Sequence, residues 1–106
     1  MNWVYSEMFR DILDSLFYLI TLSMNIVCVY EGTEYTGMAY KGMQPYKTDT
    51  FDDCYEDFVT KNKADPTCRF FTFRAFLGGE AGTCMLKHWR GNANPNKDAI
   101  SGTTKC

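Results

Sequence analysis

Residues 50–73 read TFDDCYEDFVTKNKADPTCRFFTF, a helix, a stop and a strand in succession. Thr50 is a good N-cap, and Asp53 stands three residues on, an Asp variant of the capping box. Asp52, Asp53, Glu56 and Asp57 place negative charge in the first turns, where the helix dipole favours it. Phe51, Cys54, Tyr55 and Phe58 follow the i, i+3, i+4, i+7 spacing, so one face is apolar. Lys61 and Lys63 come late in the segment, and Asp65-Pro66 ends it. Cys68–Phe73 then combines aromatics with Thr and contains no breaker, which is the composition of a strand.

Working outward, Ile26–Tyr30 (IVCVY) is a second β-branched, apolar run, ended by the turn pair Glu31-Gly32. Thr33–Tyr40 alternates loosely around Gly37, and Gly42 and Pro45 mark a loop. LGGEAG, residues 77–82, is a turn, and Cys84–Trp89 (CMLKHW) is another strand. GNANPNKD, residues 91–98, is expected to be a polar loop, with a last short segment from Ile100 to Cys106. The expected fold class is therefore α+β: short strands around one helix.

The 106 residues amount to one domain, of a size that gains from being stapled. Five cysteines occur, at 28, 54, 68, 84 and 106. No pair has C-x-x-C spacing, and His88 is the only histidine, so the sequence offers no zinc-ribbon or thioredoxin-like signature. Wide spacing in a short chain reads as disulfides in an oxidising compartment, and an odd count leaves one thiol over. The expected location is extracellular, with no cofactor and no metal.

Residues 1–25 differ in composition from the rest. Residues 16–30, LFYLITLSMNIVCVY, are nearly all apolar but too short and interrupted for a stable membrane span. Their length suits a signal-peptide core, with Thr21 and Ser23 at −3 and −1 of a cut before Met24. The leading Arg10 with Glu7, Asp11 and Asp14 gives the wrong charge for a signal. A packing helix or an extraneous start therefore stays open for this segment.

Net charge is −2, which does not advertise nucleic acid. The charges are unevenly placed: residues 61–106 carry eight Lys and Arg against Asp65, Glu80 and Asp98. The expectation is either a solvated acidic helix beside basic strands or a basic face for an anionic partner.

Catalysis finds little support. Cys84 is too far from His88 for a direct nucleophile–base pair. The carboxylates at 52, 53, 56 and 57 are neighbours on one helix surface rather than facing across a cleft. Those carboxylates lack a calcium loop's D-x-D-x-D-G pattern, and Gly78-Gly79 precedes a strand instead of a phosphate-binding helix.

Cys28 in an apolar strand, Gly37, a capped helix bearing Cys54, CRFFTF, CMLK at 84–87 and Ile100-Ser101-Gly102 before Cys106 occur in an order that resembles the PAN/apple domain family. The resemblance covers residues 26–106 and leaves 1–25 outside. It implies a curled antiparallel sheet wrapped around one helix, stapled by disulfides, in a non-catalytic, monomeric module that binds proteins or glycans. It also implies the bridges Cys28–Cys106 and Cys54–Cys84. Phe58 stands where the family carries a second helix cysteine, so Cys68 is expected to be a free, buried thiol. Lys87, His88 and Arg90 flank Trp89, and the family places Arg69 and Arg74 on the adjacent strand. Basic groups around an aromatic suit a sulfated or sialylated glycan, or an acidic protein. The alternative is a small secreted structural or effector-like protein that binds no glycan.

Overall fold

The structure, a computed structural model, describes residues 2–6 and 26–106. In these residues the chain forms β1 (Asn2–Ser6), β2 (Ile26–Tyr35), a 3-10 turn (Tyr40–Gly42), β3 (Tyr46–Thr48), α1 (Phe51–Ala64), β4 (Phe70–Ala75), β5 (Gly82–Lys87) and β6 (Ala93–Thr103). The domain is α+β. The strands pair antiparallel throughout, in the order β1-β2-β6-β4-β5-β3. Of the signal-like segment, Asn2–Ser6 pairs with Ile26–Tyr30 at the sheet edge; residues 7–25 lie outside the described residues.

The helix forms for the local reasons visible in its sequence. The Thr50 hydroxyl accepts a hydrogen bond from the Asp53 amide at 3.1 Å, which satisfies one of the orphan donors of the first turn. Cys54, Tyr55, Phe58 and Val59 are its buried residues. They meet every second residue of three strands: Val27 and Val29 on β2, Phe71 and Phe73 on β4, Cys84 and Leu86 on β5. Phe58 and Phe71 lie with ring centroids 4.8 Å apart, and both are fully buried.

Two disulfides fasten this arrangement. Cys54–Cys84 joins the helix to β5 and is wholly buried, while Cys28–Cys106 joins β2 to the residue three beyond the end of β6. These are the pairs that the family resemblance implies. Cys68 is free and buried. Burial, helped by the charge of Asp65, pushes its thiol up to about 11, while Lys61 pulls the other way.

Part of the other face of the sheet is covered by the sheet itself. β2 is ten residues long and β6 eleven, the two longest of the described strands. Their register shifts between Glu31 and Thr33, where Gly32 adopts a positive φ of 74°. Such a bulge bends a strand and sharpens its twist. The bend brings the far half of β2 across β4: the Tyr35 amide donates to Thr72 Oγ1 at 3.1 Å, and Ser101 Oγ donates to the Thr33 carbonyl at 2.7 Å. Thr72 and Ser101 bond each other at 2.7 Å, and both are completely buried. A buried hydroxyl is tolerated only with partners, and this pair has them.

The sheet corrects the expectation of a polar loop at 91–98. Ala93, Asn94 and Pro95 pair with Tyr35, Glu34 and Thr33 as part of β6. Their side chains are exposed, so no apolar alternation marks the strand; the backbone ladder to β2 holds it.

Gly37 closes the end of this ribbon. A Cβ there would come within 1.9 Å of the Trp89 carbonyl oxygen, so only glycine lets the two backbones approach. The Gly37 amide donates to the Arg90 carbonyl at 2.9 Å.

Asp65 ties the helix end to the 3-10 turn. Its carboxylate accepts from Tyr40 Oη at 2.6 Å, from the Thr67 amide at 3.0 Å and hydroxyl at 2.7 Å, and faces Lys41 Nζ at 3.4 Å. The Tyr40 bond first, then those of Thr67, hold its pKa well below the usual carboxylate range. A depressed folded-state pKa contributes stability that is present above the unfolded value, about 3.9, and is lost as the pH falls through the folded value. Asp65→Asn is therefore expected to lower the melting temperature at neutral pH and to shrink the further loss on acidification below about pH 4. Thermal unfolding of both proteins across that range checks this; an unchanged acid slope would remove Asp65 from the account.

Candidate functional site

The basic residues singled out in the sequence do not form one exposed face. Lys87 is buried at 8% exposure, and its ammonium donates to the Gly37 carbonyl at 3.0 Å. Burial lowers its pKa, with Glu34 acting in the opposite sense. It therefore serves the closure of the β2–β6 ribbon, a correction to its expected place on an exposed basic face. Arg74 forms an ion pair with Glu34. Glu34 also accepts from Asn96 Nδ2 at 2.9 Å, and that bond is the largest influence holding its carboxyl below the usual range, against its partial burial. Arg69 Nε donates to the Pro66 carbonyl at 3.4 Å. His88 Nδ1 lies 3.0 Å from the Ala39 carbonyl oxygen. Trp89 is 63% exposed, and Arg90 is exposed beside it.

Of these residues, Arg90 lines an open groove of about 320 Å³ on the face of the sheet away from the helix. The groove is built by the curl. Tyr30 and Thr33 come from the bent part of β2, Phe70 from the start of β4, and Thr103 from the end of β6. Tyr35, almost fully buried, sets its ring edge-on to Phe70 with centroids 5.8 Å apart. Ala93 and the two cations Arg90 and Lys105 complete the lining. Three aromatic rings and two cationic side chains thus share one concavity, though they span residues 30 to 105.

Arg90 and Lys105 are the charged side chains of the groove lining. Burial, then the neighbouring Tyr30, push the Tyr35 phenol up to about 12, against the pull of Arg90. A phenol is protonated at physiological pH even at its ordinary value, so this shift changes nothing there and Tyr35 is a hydrogen-bond donor. Aromatic rings present flat faces for stacking on apolar ring surfaces, and Arg and Lys supply charge-assisted bonds to anionic oxygens. Arg90 was visible as a surface candidate in the sequence. Tyr30, Phe70 and Lys105 were not, because each reads locally as a strand residue or a terminal charge.

Among the described residues, further concavities lie elsewhere, two of them as follows. One runs between α1 and the 43–46 segment, with Met43, Ala64 and Leu86 in its lining and Tyr46 bonded to Asp57 at 2.9 Å. The other lies beside the β2 bulge, along Lys97–Ile100. Neither collects charge of one sign beside aromatic rings. Among the described residues no helix is long and apolar enough to cross a membrane.

No protein-family model, curated protein or solved structure matches the chain.

Proposed function

We propose that the chain is a secreted, non-catalytic recognition module of the PAN/apple type, acting as a monomer, and that it binds anionic glycan in the Tyr30–Tyr35–Phe70 groove. The observation that carries the reading is the convergence of three aromatic rings with Arg90 and Lys105 in one groove. Its volume of about 320 Å³ is at the lower end for small-ligand sites. A stable protein partner commonly covers about 800 Å² per side, far more than this groove offers, so sugar rings suit it better than a protein surface. The two disulfides are compatible with an extracellular protein.

Binding is expected to depend on charge. A sulfated glycosaminoglycan oligosaccharide should bind the intact domain and lose roughly tenfold in affinity on Arg90→Ala or Lys105→Ala. Tyr30→Ala should weaken binding without changing its salt dependence. Raising salt towards 1 M, where the screening length falls to about 3 Å, should abolish most of the affinity. Titration calorimetry at several salt concentrations reads all of these. If sulfated and sialylated glycans both fail to bind while an acidic protein does, the partner is a protein. If no anionic ligand binds, the recognition reading falls and the small structural or effector-like alternative stands.

A further inference from the structure

The two bridges differ in a way that bears on the groove. Cys54 and Cys84 have no exposed surface, so a solvent thiol has no route to their sulfurs in the folded domain. Cys106 is exposed and Cys28 half-buried. Cys28 lies directly opposite Thr103 across the β2–β6 ladder and two residues from Tyr30. Residues opposite one another, and residues two apart on a strand, share a face, and both Thr103 and Tyr30 line the groove. The exposed bridge therefore stands at the groove's edge. Lys105, the groove's second cation, lies between the end of β6 at Thr103 and the bridge at Cys106. Apart from the bridge, this segment is held by the bond from the Thr104 amide to the Arg69 carbonyl at 3.2 Å and that from the Lys105 amide to Thr103 Oγ1 at 2.8 Å.

We propose that Cys28–Cys106 is a thiol-cleavable clasp that fixes Lys105 at the groove, so that its reduction by a dithiol loosens the segment and weakens binding of anionic ligand; the binding half of this rests on the glycan reading above. The dithiol, as a small molecule or as a protein with two neighbouring thiols, attacks as a thiolate at the sulfur of the exposed residue Cys106. The bond from Cys106 to Cys28 breaks as the mixed disulfide forms, and the Cys28 thiolate leaves and takes a proton from water. The second thiol of the reductant, deprotonated, then displaces the Cys106 thiolate, which is protonated in turn. Two electrons pass from the dithiol to the bridge, and the dithiol is left as a disulfide. Cys54–Cys84 stays intact and keeps the helix on the sheet.

The experiment treats the full chain with graded dithiothreitol and traps thiols with iodoacetamide for peptide mapping. In parallel it follows amide hydrogen exchange at Thr104 and Lys105 and the affinity for a sulfated glycosaminoglycan oligosaccharide. Cys28 and Cys106 are expected to label well before Cys54 and Cys84. Over that interval exchange at 104 and 105 should speed up, and affinity should fall roughly tenfold, to the level of Lys105→Ala. Buried Cys68 serves as the monitor of global unfolding. If it labels together with Cys28 and Cys106, reduction unfolds the domain and the clasp is overturned. Equal labelling of all four bridge cysteines, or unchanged exchange at 104 and 105, overturns it as well. If exchange responds but even the oxidised protein binds no sulfated oligosaccharide, the mechanical clasp stands, the glycan reading fails, and the binding half of the proposal falls with it. If the oxidised protein binds and selective reduction leaves affinity unchanged, the glycan reading stands and the clasp does not govern it.

Discussion

Phe58→Ala should destabilise the domain by about 3–5 kcal/mol, the range for emptying a fully buried Phe site. Phe58 has no exposed surface and lies on the helix face that meets β4, its ring 4.8 Å from that of Phe71. Phe71 in turn contacts Phe51 at 5.9 Å and Tyr55 at 6.3 Å, so the ring at 58 is one side of a continuous aromatic layer. Truncation loses the transfer free energy of the ring and leaves a void. The layer cannot collapse into that void, because the Cys54–Cys84 bridge, one helical turn away, fixes the spacing of helix and sheet. Phe58→Leu, which refills most of the volume, should recover more than half of the loss. Denaturant unfolding of the three proteins measures this. A loss below about 1 kcal/mol for Phe58→Ala would mean that the site relaxes freely, and that the aromatic layer is not the core it appears in the packing.

Replacing Cys54 and Cys84 together by alanine is expected to be at least as costly. The bridge spans 30 residues of sequence. In the chain-entropy treatment, closing such a loop contributes about 3.5–4 kcal/mol by restricting the unfolded chain. Both sulfurs are also fully buried, so the double variant loses packing in the same layer. For a domain near this size each kcal/mol shifts the melting temperature by about 4–8 °C, so a fall on the order of 20 °C is expected in scanning calorimetry. The Phe58 and Cys54–Cys84 changes touch the same layer, so the triple variant should be less destabilised than the sum of the two effects. A melting temperature within about 3 °C of the parent's would assign the stapling role to Cys28–Cys106 alone.

The sequence was informative where structure is decided within a few residues. Thr50 capping Asp53, the 3.6-residue spacing of Cys54, Tyr55 and Phe58, and the Asp65-Pro66 stop delimit α1, because capping, the dipole and helix periodicity are all local. CRFFTF and CMLK have strand compositions for the same reason, and β4 and β5 fall on them with shifts of two residues at their starts. Cysteines spread widely through a short chain pointed to disulfides, because neither a zinc site nor a redox motif fits their spacing.

Strand pairing, by contrast, is settled between residues far apart in the chain. Asn94 and Pro95 belong to a strand only because Glu34 and Thr33 lie opposite them. Thr72 and Ser101 look like solvent-facing strand positions and are instead buried, because β2 bends at Gly32 and covers part of the second face of the sheet. The same bend takes Lys87 out of solvent by placing the Gly37 carbonyl over it, and brings Tyr30, Phe70, Arg90 and Lys105 around one groove. A period-two pattern records that a strand has two faces. It carries no information on what lies over the second face, since that depends on the tertiary path of a ribbon whose halves are some sixty residues apart, and so the sequence determined the helix and the strands beneath it while only the folded sheet decided where the groove forms.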